Sequence, residues 1–209
     1  MKLIGMLDSP YVRRVAISLQ LLGIDFEHQS LSVFRGYAEF QRINPVVKAP
    51  TLVCDDGCVI MDSTLILQYA EALARPRTLL PSDVQGLQHE LHLIGLGLAA
   101  TEKSVQIVYE RNLRPSEKLH EPWLNRISEQ VLAAYTELES ALAATPLART
   151  SASLSQAGVT IGVAWHFTQK MIPETVPEAS FPLLAAYSQA LEALPEFCAA
   201  PHGDGTYVK

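Results

Sequence analysis

Three short stretches carry residue types whose chemistry goes beyond packing. The first is Ser9-Pro10. A hydroxyl that caps a helix accepts a backbone N–H bond through a lone pair and keeps its own proton to donate. Toward an anion at that helix end, the donor and the helix dipole act together. The second is Ala49-Pro50, directly before an apolar run. A trans bond there is an ordinary strand entry. A cis bond, the form of about 5–6% of X-Pro bonds, turns the Ala49 N–H and C=O outward, where an extended peptide-like ligand pairs with them as an added strand. The third is Asp62-Ser63. Both residues cap helices, and together they suit an amino-acid zwitterion. Ser63 and the helix amides hold its carboxylate, and Asp62 faces its ammonium. Each stretch also has a purely structural reading, as a plain cap, a strand entry and a helix start.

Such residues act together only if the elements between them bring them together. Lys2 to Met6 is a short apolar run and reads as a buried strand. Ser9-Pro10 then opens a helix with Val12, Val15, Ala16, Leu19 and Leu22 at helical spacing, and Gly23 stops it. Asp25 to Leu31 alternates as a second strand. A short helix around Tyr37 to Arg42 ends before Asn44-Pro45. Thr51 to Cys54 and Cys58 to Met61 flank Asp55-Asp56-Gly57, a β-hairpin signal. Asp62-Ser63 starts a helix with Leu65, Ile66, Tyr69 and Leu73 on one face. The order β-α-β-α-β-β-α predicts one α/β domain with a mixed sheet over residues 1–75.

Residues 76–81 read as a linker. From 82 to 209 the strand signal largely stops, and an all-α helical bundle is expected. Its helical patterns run over Val84 to Leu113, Glu117 to Ala143, Ser155 to Met171 and Ser180 to Leu194. The second of these has Leu124, Ile127, Val131, Ala134, Leu138 and Leu142 on one stripe.

Composition narrows the function classes. Of 209 residues 48% are hydrophobic and 18% charged, which excludes a disordered chain. The net charge is −6, and the longest basic run is Arg13-Arg14, so no nucleic-acid footprint is expected. The most apolar stretch, Leu91 to Ala100, is about half of what a membrane span needs, and no membrane partner is expected. Three cysteines are too few and too odd for a disulfide framework. A cytoplasmic protein is the default reading.

Other residues have simpler structural readings. His89 and His92 have half of a zinc-ligand spacing with nothing to complete it, so no metal is expected. Cys54 and Cys58 flank a turn, where a redox switch is conceivable and hairpin packing is the simpler reading. Trp165, His166 and Phe167 read as core. Tyr11 and Tyr109 could line an electrophile pocket.

Taken in order, SPYVRRV at the first helix, NPVVKAP before a strand and MDSTLILQYAE after a hairpin resemble the N-terminal domain of the glutathione transferase superfamily. The all-helical remainder extends the resemblance over essentially the whole chain. It looks closest to bacterial serine-type members, and ERNLRP at 110–115 is similar to the helical domain of one such group.

The resemblance implies a thioredoxin-like first domain that binds glutathione. Ser9 would stabilise the glutathione thiolate. Ala49, set by a cis Pro50, would pair with the cysteinyl portion. Asp62 and Ser63 would hold the γ-glutamyl end, and Lys48 the glycyl carboxylate. A thiol with a pKa of about 8.5 is mostly protonated at neutral pH, and a donor plus a helix N-terminus lowers that value. The implied protein is a cytoplasmic homodimeric detoxifying transferase whose thiolate attacks an apolar electrophile. The alternatives are a glutathione-binding regulatory protein and a glutathione-dependent isomerase or dehalogenase.

Two departures from the family pattern stand out. Redox-active relatives carry cysteine where this chain has Ser9, which disfavours mixed-disulfide chemistry at that position. Gly158 replaces the aspartate of the usual capping box Ser155-Gln156-Ala157-Gly158, so Ser155 caps without its reciprocal bond.

Overall fold

The computed structural model describes residues 1–207. Its first elements are β1 (Lys2–Ile4), α1 (Pro10–Leu21), β2 (Glu27–Gln29), α2 (Tyr37–Ile43), β3 (Thr51–Val53), β4 (Val59–Met61) and α3 (Ser63–Leu73). This is the expected thioredoxin-like order. The four strands form one sheet in the order β2-β1-β3-β4. β1 is parallel to β2 and antiparallel to β3, and β3 is antiparallel to β4. β1 and β4 therefore run the same way, and the helices that follow them start from the same end of the sheet.

Local chemistry accounts for the boundaries. Ser9 caps α1, with Pro10 in its first turn. Gly23, at φ +72°, supplies the left-handed stop. Asp62 caps α3 by accepting from the Thr64 N–H at 3.0 Å. Val12, Val15, Ala16, Ile17 and Leu19 are fully buried, so α1 lies in the core of its unit.

The helical elements are α4 (Val84–Leu113), α5 (Glu121–Ala144), α6 (Gln156–Met171), α7 (Pro182–Glu192) and α8 (Pro195–Ala199). The predicted stripe of α5 is buried in full. Its start moves to Glu121 because residues 116–118 form a separate 3₁₀ turn and Pro122 fits only a first turn. Trp165 and Phe167 are buried as expected. His166 is only partly so, and lies 3.2 Å from Glu192.

Contacts divide the chain into two units. One is Met1–Leu79 with the chain from Ala193 on, and the other is Leu80–Glu192. The sequence reading left the last segment with the helical domain. Arg13 explains the difference. Its buried guanidinium donates to the Ala200 C=O at 2.7 Å and the Phe197 C=O at 3.4 Å, and it lies over the Phe197 ring. A charge-assisted bond of this kind is strong when buried.

The α6 start shows how the incomplete capping box is compensated. Ser155 Oγ accepts from the Gly158 N–H at 3.3 Å. A carboxylate from another helix serves a neighbouring amide instead: Glu90 of α4, itself buried, accepts from the Ala157 N–H at 2.6 Å. A negative charge there also suits the positive end of the helix dipole. Glycine at 158 leaves room for Tyr187, since an added Cβ would stand 2.5 Å from its hydroxyl oxygen. Tyr187 uses that hydroxyl to donate to the Ala148 C=O at 3.1 Å. Removing the Glu90 carboxylate strands a buried N–H, so Glu90→Ala is expected to lower stability by about 1–3 kcal/mol in urea unfolding. Gly158→Asp does not repair it, because the new side chain meets Tyr187. A Glu90→Ala protein as stable as the parent would show that this carboxylate caps nothing.

Candidate functional site

The sheet register gathers the three stretches with chemistry. Ile4 pairs with Thr51, and Thr51 with Met61. One residue further along, the ladder ends at Gly5, Pro50 and Asp62. From this end the chain leads through Ser9 into α1, through Asp62-Ser63 into α3, and through Ala49-Pro50 into β3. Two helix N-termini and one strand entry thus share one sheet end.

Gly5 makes the approach close. It sits at φ +138°, and an added Cβ would lie 2.6 Å from Val12 Cγ2 and 3.1 Å from Ala49 Cβ. The first turn of α1 and the loop before β3 can come together only across a glycine.

Ser9 is half-buried, and its Oγ accepts from the Val12 N–H at 3.5 Å. Capping engages a lone pair, so the hydroxyl proton remains available to donate. The Ala49–Pro50 bond is cis. The Ala49 side chain packs against the cluster of Ile4, Leu31 and Phe40. Its N–H and C=O meet no protein partner among the described residues.

Asn44 and Thr51 hold this loop. The buried Asn44 side-chain amide donates to Thr51 Oγ1 at 2.8 Å, and its oxygen accepts from the Val46 N–H at 3.0 Å. Thr51 Oγ1 in turn donates to the Lys48 C=O at 2.7 Å. Val47 is fixed at φ 53° and Asp62 at φ 75°. Such conformations cost on the order of 1–3 kcal/mol each and persist only where the surroundings over-determine them.

Charge concentrates at the α3 start. Lys48 Nζ lies 3.2 Å from Asp62 Oδ2. Arg14, reaching from α1, is 3% exposed and donates to Ser63 Oγ at 3.1 Å and Thr64 Oγ1 at 3.4 Å. Burial pulls the guanidinium down to about 10, against the opposing effects of Asp62 and Tyr11, so it stays charged at neutral pH. For Asp62, burial pushes the carboxyl up. The Thr64 N–H, Lys48 and Arg14 together outweigh it and hold the group below its ordinary 3.8. The local balance is two cations to one carboxylate, with two helix N-termini adding to the positive side. An extended, peptide-like anion with a free amino-acid end fits this arrangement.

The structure thus brings Ser9, Lys48, Ala49, Pro50, Asp62 and Ser63 to one sheet end. Tyr11 is half-buried on α1 of the first unit, and Tyr109 lies on α4 of the second. There Tyr109 lines an open groove of about 520 Å³ with Leu113 and Trp123. Sequence reasoning missed Arg14 and Asn44. In the sequence Arg14 reads only as part of a short basic run, although its place one helical turn beyond Pro10 is a usable signal. Asn44 reads only as a stop for α2. His89 and His92 are both exposed, and no group of three or more His, Cys, Asp or Glu able to hold a metal occurs among the described residues. No described helix is long and apolar enough to cross a membrane.

Residues 3–78 match the family model described as the glutathione S-transferase N-terminal domain. Glutathione S-transferase 1 of Dianthus caryophyllus is 41% identical over 75 residues, 34% of each chain. A zeta-class glutathione S-transferase of Euphorbia esula is 28% identical over 88% of this chain and 82% of its own length. Among solved structures, a glutathione transferase family member from Pseudomonas fluorescens Pf-5, with bound glutathione, superposes with a TM-score of 0.83. It is 27% identical, covering 97% of this chain and 98% of that one.

The depressed Asp62 value has a pH consequence. A carboxyl with a lowered folded pKa adds stability that is present in full above its unfolded 3.8 and is lost as pH falls through the folded value. Asp62→Asn removes the charge and keeps the side-chain shape. Urea midpoints of parent and variant are expected to differ at neutral pH and to converge in the acid range below 3.8. A constant difference at all pH values would show that the charge of Asp62 does not contribute.

Proposed function

Because the chain belongs to the glutathione transferase superfamily, we propose that it is a glutathione transferase whose first unit activates the thiol of glutathione for attack on an apolar electrophile. The observation that carries this reading is the meeting of the Ser9 hydroxyl, the unpartnered Ala49 backbone and the Asp62-Ser63 helix start at one sheet end. The bound tripeptide runs along the entry to β3. Its cysteinyl backbone pairs with Ala49, and its γ-glutamyl ammonium faces the Asp62 carboxylate. Its γ-glutamyl carboxylate meets Ser63 and the α3 amides, with Arg14 orienting the Ser63 hydroxyl. Lys48 faces the glycyl carboxylate.

In this pose the Ser9 hydroxyl donates to the sulfur while its lone pair holds the Val12 N–H. The α1 N-terminus adds positive potential, and both favour thiolate over thiol. The thiolate forms a C–S bond with the electrophile. The leaving group departs with the electron pair, or, for an addition, the electrophile takes up a proton. Tyr11, half-buried on α1, is the electrophile contact that the first unit supplies. The protein acts as a cytoplasmic homodimer.

Two measurements test this. Calorimetric titration should show heat from glutathione at millimolar ligand, and its absence sinks the reading. A conjugation panel of aryl halides, epoxides and maleyl compounds should show turnover. A hydrogen bond to a charged group is worth about 1.5–3 kcal/mol. Ser9→Ala is therefore expected to lower the rate about 10- to 100-fold at neutral pH, to leave glutathione affinity within a small factor, and to recover rate as pH rises. Equal rates for variant and parent would show that Ser9 is not the activating donor.

A further inference from the structure

Two thiols flank the β3–β4 turn and take no part in the transferase reading. Cys54 is buried and Cys58 exposed, and neither is in a disulfide. The ladder pairs Thr51 with Met61, Leu52 with Ile60 and Val53 with Val59, so its next rung sets Cys54 opposite Cys58. That rung keeps one of its two cross-strand bonds, and Gly57, at φ +84°, takes the other in a bulge. The Cys54 N–H donates to the Cys58 C=O at 2.8 Å, and the Gly57 N–H donates to the Cys54 C=O at 3.0 Å.

Residues opposite each other in an antiparallel pair point to the same face. Directly opposed residues of an antiparallel pair stand about 4.5–5.5 Å apart at Cα. A disulfide spans Cα separations of about 4.4–6.8 Å, a range that covers opposed positions of this kind. The Tyr69 hydroxyl of α3 pairs with the Cys54 sulfur, which puts that thiol on the α3 side of the sheet.

Packing explains only one of the two. Cys54 is 8% exposed and fills a core position. Cys58 is exposed, where a sulfur adds no core contact. An exposed thiol directly opposite a buried one is the arrangement of an attacking and a resolving cysteine.

We propose that Cys54 and Cys58 are a redox-active dithiol, which a small-molecule disulfide of the glutathione type converts to an intramolecular disulfide. The exposed Cys58 loses its proton and attacks one sulfur of glutathione disulfide. A Cys58–S–S–glutathione bond forms as the original S–S bond breaks, and one glutathione leaves as thiolate and takes up a proton. Cys54 then loses its proton and attacks the Cys58 sulfur, expelling the second glutathione in the same way. Two protein thiols are oxidised and one glutathione disulfide is reduced to two glutathiones. Burial and the neighbouring carboxylates of Asp55 and Asp56 keep the Cys54 thiol protonated, so the second step quickens with rising pH.

The test uses the full chain carrying Cys198→Ser, which removes the third, exposed thiol. The protein is incubated with glutathione disulfide, quenched in acid, and read by intact mass and thiol labelling. The expected product has lost both labelled thiols and carries no adduct, and dithiothreitol restores it. Adding Cys54→Ser is expected to trap one glutathionyl group on Cys58. Adding Cys58→Ser is expected to abolish the reaction. A lasting glutathione adduct with both cysteines present, no reaction, or unchanged oxidation after Cys58→Ser would each overturn the proposal. None of these readouts requires transferase turnover, so the two readings stand or fall separately.

Discussion

The register between β1, β3 and β4 is the constraint on which the rest depends. Side chains alternate along a strand, so a slip of one residue would move the buried Leu3 and Leu52 to the opposite face, which Ile4, Leu31 and Phe40 already fill. The same slip would move Gly5, Pro50 and Asp62 out of line. The apolar faces of three short strands therefore do more than hold the sheet together. They place a helix-capping hydroxyl, an unpartnered stretch of backbone and a carboxylate at one end, from positions 9, 49 and 62 of the chain.

Electrostatics then organises that end. Arg14 is buried, and a buried charge is tolerated only with good partners. It has Ser63, Thr64 and the field of Asp62. Asp62 has Lys48 and the first amides of α3. The result is a net positive patch inside an acidic protein, made by local geometry and independent of the overall charge of −6. The strained φ values of Val47 and Asp62 fall in the same patch, and the Asn44–Thr51 bonds are what hold the first of them.

Much of this was legible in the sequence, for a physical reason. Caps, turns and strand periodicity are short-range effects, and Ser9, Gly23, Gly57 and Asp62 act on their own neighbours. The elements of the first domain followed from them. Their joint order, read as a family resemblance, carried the site. Longer-range partnerships were not legible. Arg13 and Arg14 are adjacent and both basic, yet one binds the chain's last segment and the other binds the start of α3. The carboxylate that accepts from the Ala157 N–H sits 67 residues away, at Glu90. Nothing local to Gly158 identifies it. Asn44 looked like a stop signal because its partner Thr51 lies beyond a loop whose shape the sequence does not reveal.

The bond from Arg13 to Ala200 spans 187 residues. Chain synthesis proceeds from the N-terminus at about 5–20 residues per second. The first unit is therefore begun before the helical unit and completed after it. Its sheet and helices can collapse early, but the Arg13 guanidinium waits, without those carbonyl partners, until the helical unit has been made. Closure of the first unit around Arg13 is therefore a late step of its folding during synthesis.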